Sequence, residues 1–255
     1  MTAMSKREGG ISNAVYGINA VREAIGARPV DYVLVAEGQH GSRLQEVINT
    51  SRAAGISVRF VPRAALERAA GTVQHQNVVA VCAAKAYSDL DALVGESPKQ
   101  ALLVALDSVE DPANLGAVIR SAVAVGAQGV IIPERRAAGL SPAVAKSAAG
   151  AIEHIGVARV GNLVRTLLAL KEKGLWIYGF EAKATKSYLD LDYSGPCVLV
   201  FGGESQGIHR LVREASDELA RIPLYGPVES LNVSVSAGIV LYEAARQRHM
   251  AHHGA

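Results

Sequence analysis

The chain has 255 residues, of which 49% are hydrophobic, enough apolar material for one large domain or two smaller ones. Its 26 lysines and arginines nearly balance 24 aspartates and glutamates, so net charge neither supports nor excludes a nucleic-acid partner. Cys82 and Cys197 lie in apolar runs without a second metal ligand nearby, which predicts neither a disulfide framework nor a metal site. Without a long apolar run or a signal-peptide pattern, we expect a soluble, cytoplasmic protein with no membrane partner.

Residues 12–86 alternate between helical and strand patterns and predict a small α/β domain. Its predicted elements are helices at 17–25, 42–55 and 63–70 and strands at 31–36, 58–61 and 78–83. Ser42 is expected to cap the second helix. Residues 87–100 combine turn formers and charges without clear periodicity, so we interpret them as a linker.

Residues 101–250 predict a doubly wound, mostly parallel α/β domain. The domain begins with a continuous apolar run at 101–107, typical of a central parallel strand. Asp111 and Pro112 then supply a cap and a first-turn proline for a helix that continues to about residue 126. The other predicted elements are strands at 130–133, 157–160, 176–181, 197–202 and 220–224 and helices at 141–153, 162–174 and 232–247. Ligands of such domains bind at the carboxyl ends of the strands.

The helix after the first of these strands carries an isolated charge. Arg120 is the only ionisable side chain between Pro112 and Pro133. An arginine in an apolar helix is either paired with a carboxylate in the core or directed into a functional site. The spacing leaves both interpretations open. Asn114 lies six residues before it and is a second polar residue in the same apolar stretch.

Two further strand ends are polar. The segment Gly202-Gly203-Glu204-x2-Gly207 directly follows an apolar strand, and its glycines would let the backbone approach a ligand. Taken alone, this segment is a weak signal, and the pattern slightly favours a tight turn with a surface glutamate. Near the last helix, Ser230 is a candidate cap and Asn232 is a small polar residue in an apolar helix. The alternative is a capped helix packed closely on the sheet.

The three segments together resemble the SpoU or TrmH family of RNA ribose 2′-O-methyltransferases. The family motifs are matched by Asn114-x5-Arg120, by the 202–207 segment and by Ser230-Leu-Asn232-Val-Ser, over about residues 101–248. One departure is that the family commonly has Gly-Ala-Glu-Gly where this chain has Gly-Gly-Glu-Ser.

Outside these three motifs, two more regions extend the resemblance. The N-terminal region, with segments 16–25 and 74–76, resembles the family's substrate-binding domain, which is similar to ribosomal protein L30e. Residues 148–163 resemble the branch that methylates a guanosine in the peptidyl-transferase loop of bacterial 23S rRNA.

The resemblance implies a fold and a cofactor. The C-terminal domain would be a SPOUT α/β domain with a C-terminal trefoil knot, working as a homodimer with its active site at the subunit interface. S-adenosyl-L-methionine would sit in the knot. The residues implied to hold it are Gly202, Gly203, Gly207, Ile222 and Leu231.

It also implies transfer of a methyl group to a ribose 2′-oxygen of 23S rRNA or of a precursor particle. The implied catalytic residues are Arg120, Asn114, Glu204, Ser230 and Asn232. The resemblance leaves open whether Arg120 is the general base or a phosphate clamp; we favour a residue that binds phosphate and lowers the pKa of the hydroxyl, because an arginine is a poor general base. Asn114 and Asn232 would orient Arg120 and the ribose, Glu204 would fix the site by hydrogen bonds, and Ser230 would cap the last helix.

In the N-terminal domain, the polar side chains of His75 and Gln76 suit contact with unstacked bases of RNA. For His75, a place in a polar hairpin is an equal alternative.

Three rival functions stay open. The first two are methylation of a 23S adenosine, of the kind that confers antibiotic resistance, and methylation of tRNA. The third is a ribosome-assembly protein that binds RNA without catalysis, although the presence of all five motif side chains favours an active enzyme. A nicotinamide-dependent enzyme is disfavoured because the glycines lack the dinucleotide spacing.

Overall fold

The structure is a computed structural model that describes residues 13–39, 41–95, 98–203 and 206–253. Its contacts divide the chain into two units. The N-terminal unit comprises Met1–Ala86 together with Leu140–Glu153, and the C-terminal unit comprises Tyr87–Gly139 together with His154–Ala255. The segment Leu140–Glu153, which the sequence pattern places in the C-terminal domain, therefore makes its contacts with the N-terminal unit.

The N-terminal unit is built on a four-stranded mixed sheet. Its elements in chain order are β1 Ala14–Tyr16, α1 Ile18–Ala27, β2 Val30–Ala36, α2 Ser42–Ala53, β3 Ser57–Val61, α3 Arg63–Ala70 and β4 Val78–Cys82. The strand order is β1-β4-β2-β3, with β2 and β3 parallel and the other pairings antiparallel. The small α/β prediction is confirmed, but the three-residue β1 was not predicted. Ser42 is not the cap of α2, because Gly41 holds that position without a side-chain bond.

The stretch interpreted as a linker contains regular structure. A short helix, α4 Leu90–Val94, begins after Asp89, whose carboxylate accepts hydrogen bonds from the backbone N–H groups of Asp91 and Ala92. A 3₁₀ turn follows at Pro98–Gln100. The side chains of Leu93 and Val94 are buried in the core of the C-terminal unit, which holds α4 in place.

The C-terminal unit contains a seven-stranded sheet. The remaining elements of the chain are β5 Leu102–Asp107, α5 Pro112–Ala124, β6 Gly129–Pro133, α6 Pro142–Ser147, β7 Gly156–Val160, α7 Leu163–Glu172, β8 Trp176–Phe180, β9 Lys186–Ser187, β10 Cys197–Gly202, α8 Arg210–Ala215, β11 Glu218–Arg221 and α9 Val233–His253. Of these, α6 belongs to the N-terminal unit. The strand order is β7-β6-β5-β10-β8-β11-β9, and every pairing is parallel.

The parallel α/β prediction for this part of the chain is confirmed. β5 is an interior strand, paired on both sides with β6 and β10, and all six of its residues are buried, as its continuous apolar sequence requires. Asp111 caps α5 by accepting from the N–H of Ala113 at 2.9 Å, and Pro112 occupies the first turn. The short β9 and α8 were not predicted. None of the helices among the described residues has the length and apolar character of a membrane span.

Candidate active site

The ends of β5 and β10 bring two of the three polar segments together. These strands are parallel neighbours, and Gly202 is in register with Asp107. The residues that follow each strand therefore emerge at the same edge of the sheet. The backbone N–H of Gly203 donates to the carbonyl oxygen of Asp107 at 2.9 Å, which joins the two loops directly.

The loop after β10 folds back on itself so closely that only glycine fits. A Cβ on Gly202 would lie 1.9 Å from the carbonyl carbon of Gly207, and a Cβ on Gly203 would lie 2.2 Å from the carbonyl oxygen of Ser108. The N–H of Gly207 closes the turn by donating to the carbonyl oxygen of Gly203 at 3.0 Å. Glu204 lies outside the described residues, so its role stays a prediction.

A cavity of about 460 Å³ opens beside this loop, and we call it the first cavity. All of the residues predicted to hold the cofactor line it: Gly202, Gly203, Gly207, Ile222 and Leu231. They come from the end of β10 and the loop after it, the segment after β11 and the segment before α9. The stacked rings of Phe180 and Phe201, with centroids 4.9 Å apart, belong to the same lining. Apolar rings beside a backbone-rich loop suit a small ligand with an aromatic base and a polar tail.

The two predicted asparagines meet beside this cavity. Nδ2 of Asn232 donates to Oδ1 of the buried Asn114 at 3.0 Å, which connects α5 to the segment before α9. Oδ1 of Asn232 accepts from the backbone N–H of Ser234 at 2.9 Å and from its hydroxyl at 2.6 Å. Because α9 begins at Val233, this bond makes Asn232 the cap of the helix. The prediction that Ser230 is the cap is wrong; Ser230 lines the first cavity.

Arg120 is exposed on α5, and none of the described residues is recorded as its hydrogen-bond or ion-pair partner. Within the part of the chain that the structure describes, the core ion pair that the sequence left open is therefore not formed. Arg120 is six residues from Asn114, which places the two side chains about 120° apart around the helix. Accordingly, Asn114 faces the core while Arg120 does not, and Arg120 lines neither of the two cavities described for this unit.

The predicted RNA-contacting residues of the N-terminal unit have internal bonds. His75 is only 1% exposed, and its Nδ1 accepts from the N–H of Asn77 at 3.1 Å. Burial, with a smaller contribution from nearby Arg63, lowers the pKa of His75. Gln76 is exposed, and its Oε1 accepts from the N–H of Ile18 at 2.9 Å, so it caps α1 from outside the helix. A base cannot stack on His75 without a conformational change, and the predicted contact stays untested.

A second cavity of about 430 Å³ lies next to the first and shares Gly203, Gln206 and Gly207 with it. Its lining includes Arg136 and His209, neither of which belongs to a recognised motif. The one sequence feature that indicates a functional position for His209 is that it lies two residues after Gly207, the last glycine of the motif.

Two family comparisons decide the assignment. The SpoU rRNA Methylase family matches residues 101–242, which include the first cavity and the asparagine pair. A family described as RNA 2′-O ribose methyltransferase substrate binding matches residues 14–88. The chain belongs to the SpoU rRNA methylase family. It is therefore an RNA 2′-O-methyltransferase, and its small N-terminal domain is of the substrate-binding type.

Similar proteins agree with this assignment over nearly the whole chain. A 23S rRNA (guanosine-2′-O-)-methyltransferase, RlmB of Xylella fastidiosa, is 47% identical over 92% of this chain and 96% of its own. A Bacillus subtilis protein, YacO, named only by family as a tRNA/rRNA methyltransferase, is 45% identical over 92% of this chain and 95% of its own. The crystal structure of the SpoU methyltransferase AviRb from Streptomyces viridochromogenes in complex with AdoMet superposes with a TM-score of 0.77 at 26% identity, covering 92% of this chain and 90% of that one.

Proposed function

We propose that this protein transfers the methyl group of S-adenosyl-L-methionine to the ribose 2′-oxygen of a guanosine in the peptidyl-transferase loop of 23S rRNA. The observation that carries the proposal is the convergence of three separate chain segments on the first cavity. The name of the similar Xylella protein supports the guanosine, and the AviRb complex supports the cofactor. The substrate is the rRNA itself or a precursor particle that presents the same loop.

The first cavity fits the cofactor by its chemistry. S-adenosylmethionine, when bound, supplies an activated methyl group, so the protein has to position the reactants and assist loss of the hydroxyl proton. The backbone around Gly202 and Leu231 would hold the polar parts of the cofactor, and the apolar lining near Phe201 would cover its base. The Asn114–Asn232 bond fixes the start of α9 at the rim of the site.

We assign the substrate-activating charge to Arg120. An arginine carries its positive charge throughout the physiological pH range, and its planar fork suits a phosphate. Binding the phosphate next to the target ribose would place the guanidinium where it stabilises the negative charge that develops on the 2′-oxygen. Arg120 is exposed and has no ion-pair or hydrogen-bond partner among the described residues, which leaves its guanidinium accessible to a phosphate.

We infer a homodimer in which Arg120 of one subunit completes the cavity of the other. Within one chain, Arg120 lines neither of the two cavities. An active site that contains this guanidinium would therefore take it from a second subunit. On α9, which packs against α5, Val235 and Tyr242 are seven residues apart and therefore share a face. They are 49% and 59% exposed, and an exposed apolar face beside a functional helix suits contact with a second copy.

We also place the protein in the cytoplasm, where ribosomes are assembled. Cys82 and Cys197 are both free and buried, as is usual in a reducing compartment. Burial raises the pKa of the Cys197 thiol to about 11, so this cysteine serves packing rather than redox chemistry.

The deciding experiment is methyl transfer from labelled S-adenosylmethionine, with the modified nucleotide mapped afterwards. The substrates are 23S rRNA fragments that contain the peptidyl-transferase loop, the same fragments with the guanosine replaced, and bulk tRNA. We expect label only on the first. Label on an adenosine or on tRNA would show that the substrate is not the proposed guanosine. Binding of RNA without any methyl transfer would instead support the function of an assembly protein.

A further inference from the structure

The second cavity adjoins the place where chemistry has to occur. A ribose oxygen that receives a methyl group must come within about 3–3.5 Å of it, so the substrate site has to share a wall with the cofactor cavity. The second cavity shares the loop residues Gly203, Gln206 and Gly207 with the first. Its volume of about 430 Å³ is within the range of pockets that hold small ligands, and a nucleotide is a ligand of that size.

The lining of this cavity is polar. Beyond the shared glycines, its walls carry a guanidinium, an imidazole, a hydroxyl, an amide and a carboxylate, from Arg136, His209, Ser108, Gln206 and Glu110 respectively. Such a set matches a nucleotide, which offers an anionic phosphate together with hydroxyl and base donors and acceptors. The carboxylate of Glu110 would repel a phosphate and accept from donor groups, whereas the guanidinium of Arg136 would attract a phosphate.

Backbone strain is concentrated at the same cavity. Within the described residues of the C-terminal unit, two residues other than glycine have a positive φ, Ser108 at 63° and Arg136 at 55°. Both line the second cavity. Side chains disfavour this left-handed conformation, and residues that adopt it cluster at ligand-binding positions. A ligand-binding role for its guanidinium would therefore explain why Arg136 adopts the left-handed backbone conformation.

His209 is oriented by a buried carboxylate. Oδ2 of Asp107 accepts from the backbone N–H of His209 at 2.7 Å and lies 2.9 Å from its Nδ1. Asp107 is 6% exposed, whereas the His209 side chain is 35% exposed. Because a carboxylate accepts only, Nδ1 carries the proton, and the Nε2 edge is the part of the ring left for a ligand.

We propose that the second cavity binds the target nucleotide of the RNA, with Arg136 pairing with its backbone phosphate and Nε2 of His209 hydrogen-bonding the same nucleotide. This inference rests on the proposed function, because it assumes that RNA is the substrate. It adds two RNA-binding residues to the motif residues and divides the work between two arginines: Arg136 binds within the subunit, and Arg120 acts across the dimer.

Arg136→Asn tests the phosphate contact. Asparagine tolerates the left-handed backbone, so the charge is removed without new strain. We expect the KM for the rRNA fragment to rise about tenfold or more while the dissociation constant of S-adenosylmethionine stays within about twofold. The slope of log affinity against log salt concentration should become shallower by about 0.7–0.9, the value for one lost phosphate contact.

Arg135→Asn is the matched control, because Arg135 is an exposed arginine on the same loop that does not line the cavity. We expect it to change KM less than about threefold. Equal KM values and equal salt slopes for the two variants would overturn the role of Arg136. If the wild type transfers no methyl group to any RNA, the proposed function itself fails, so the two failures are distinguishable.

His209→Asn tests the second contact, since the asparagine amide can still donate to Asp107 but cannot reach as far as Nε2. We expect KM for RNA to rise about three- to tenfold with an unchanged thermal midpoint. His209→Ala also removes the side-chain donor to Asp107, leaving the backbone N–H bond, and should lower that midpoint. If His209→Asn retains the wild-type KM while His209→Ala is unstable, His209 only supports the fold and its part of the proposal is wrong.

Discussion

The polar loop before β4 in the N-terminal unit and the polar edge of the C-terminal sheet use their side chains differently. In the first, Gln76 caps α1, and the buried His75 accepts at its Nδ1 from the N–H of Asn77, while its Nε2 is buried without a partner among the described residues. At the second, the residues around β5 and β10 line two cavities, and Arg120 is exposed with no recorded partner within the described residues. Polar groups that are satisfied internally contribute to stability, whereas those left at a cavity need a ligand or a second chain.

This contrast predicts which property each substitution will change first. Changes in the loop before β4 should alter the free energy of unfolding, and changes at the sheet edge should alter turnover or binding in a protein that is still folded. The Asn114–Asn232 pair lies between these cases, because it both caps a helix and borders the first cavity.

The largest effect is expected for Arg120→Ala. If Arg120 has the proposed role, its removal deletes a charge that stabilises the developing oxyanion and should lower kcat by about 10³-fold. The side chain is exposed and unpaired within the described residues, so the thermal midpoint and the affinity for S-adenosylmethionine should stay near wild type. Single-turnover methyl transfer, together with equilibrium dialysis of labelled cofactor, measures both quantities. A variant that unfolds but retains its activity per folded molecule would show that Arg120 is structural.

A mixture of two inactive variants tests whether Arg120 acts across subunits. Ser236 lines the first cavity from the first turn of α9, so Ser236→Trp should fill the cavity and block the cofactor. The Ser236→Trp and Arg120→Ala proteins are mixed in equal amounts and allowed to exchange subunits, so that half of the dimers contain one subunit of each. In such a dimer the open cavity of the Arg120→Ala subunit meets the intact Arg120 of the other subunit, which gives one intact site. We expect recovery of about a quarter of wild-type activity for a twofold symmetric dimer. No recovery, although mass spectrometry detects mixed dimers, would show that both residues act in the same subunit.

Sequence patterns predict the sheet edge well because strong constraints act there. The continuous apolar runs of β5 and β10 have few structural alternatives to a buried parallel strand. The glycines of the loop, where a Cβ would clash with neighbouring backbone, can be recognised directly in the sequence. The pattern could not predict β1 and β9, which have three and two residues and therefore no periodicity.

Other features depend on contacts that are distant in the sequence. Nothing local in the Leu140–Glu153 segment shows that it packs with the N-terminal unit. Likewise, Ser230 and Asn232 are equally suitable caps by residue type, and only the position where α9 begins selects Asn232. The orientation of His209 could not be predicted, because it depends on the carboxylate of Asp107, 102 residues earlier. The threading of the last helix stays a prediction.

An intermediate effect is expected for Asn232→Ala. Loss of the cap should lower the free energy of unfolding by about 1 kcal/mol, and loss of the bond to Asn114 should lower kcat/KM by about tenfold. Trp176 is the single tryptophan of the chain and lies in β8 of the C-terminal unit, so its fluorescence during urea unfolding reports the stability of the unit that contains Asn232. Ser230→Ala is the matched variant, because Ser230 borders the same cavity without capping α9. If the two variants are equally unstable, Asn232 is not the effective cap.

The smallest effect concerns the pH dependence of the N-terminal unit. Burial lowers the pKa of His75 below its ordinary value of 6.5, so the unfolded chain binds a proton more readily than the folded one. Stability is therefore fully present above pH 6.5 and falls as the pH drops below it, by at most about 1.4 kcal/mol per pH unit for one group. His75→Gln removes this titration.

The measurement is the thermal midpoint by far-ultraviolet circular dichroism at pH 7.5 and pH 5.5, compared between the wild type and His75→Gln. We expect the wild type to lose more stability on acidification, while both proteins bind the rRNA fragment with similar affinity at pH 7.5. An equal loss in the two proteins would mean that the imidazole is not buried in solution. A large loss of RNA affinity in His75→Gln with unchanged stability would reverse the contrast between the two units, because His75 would then be a binding residue like those of the sheet edge.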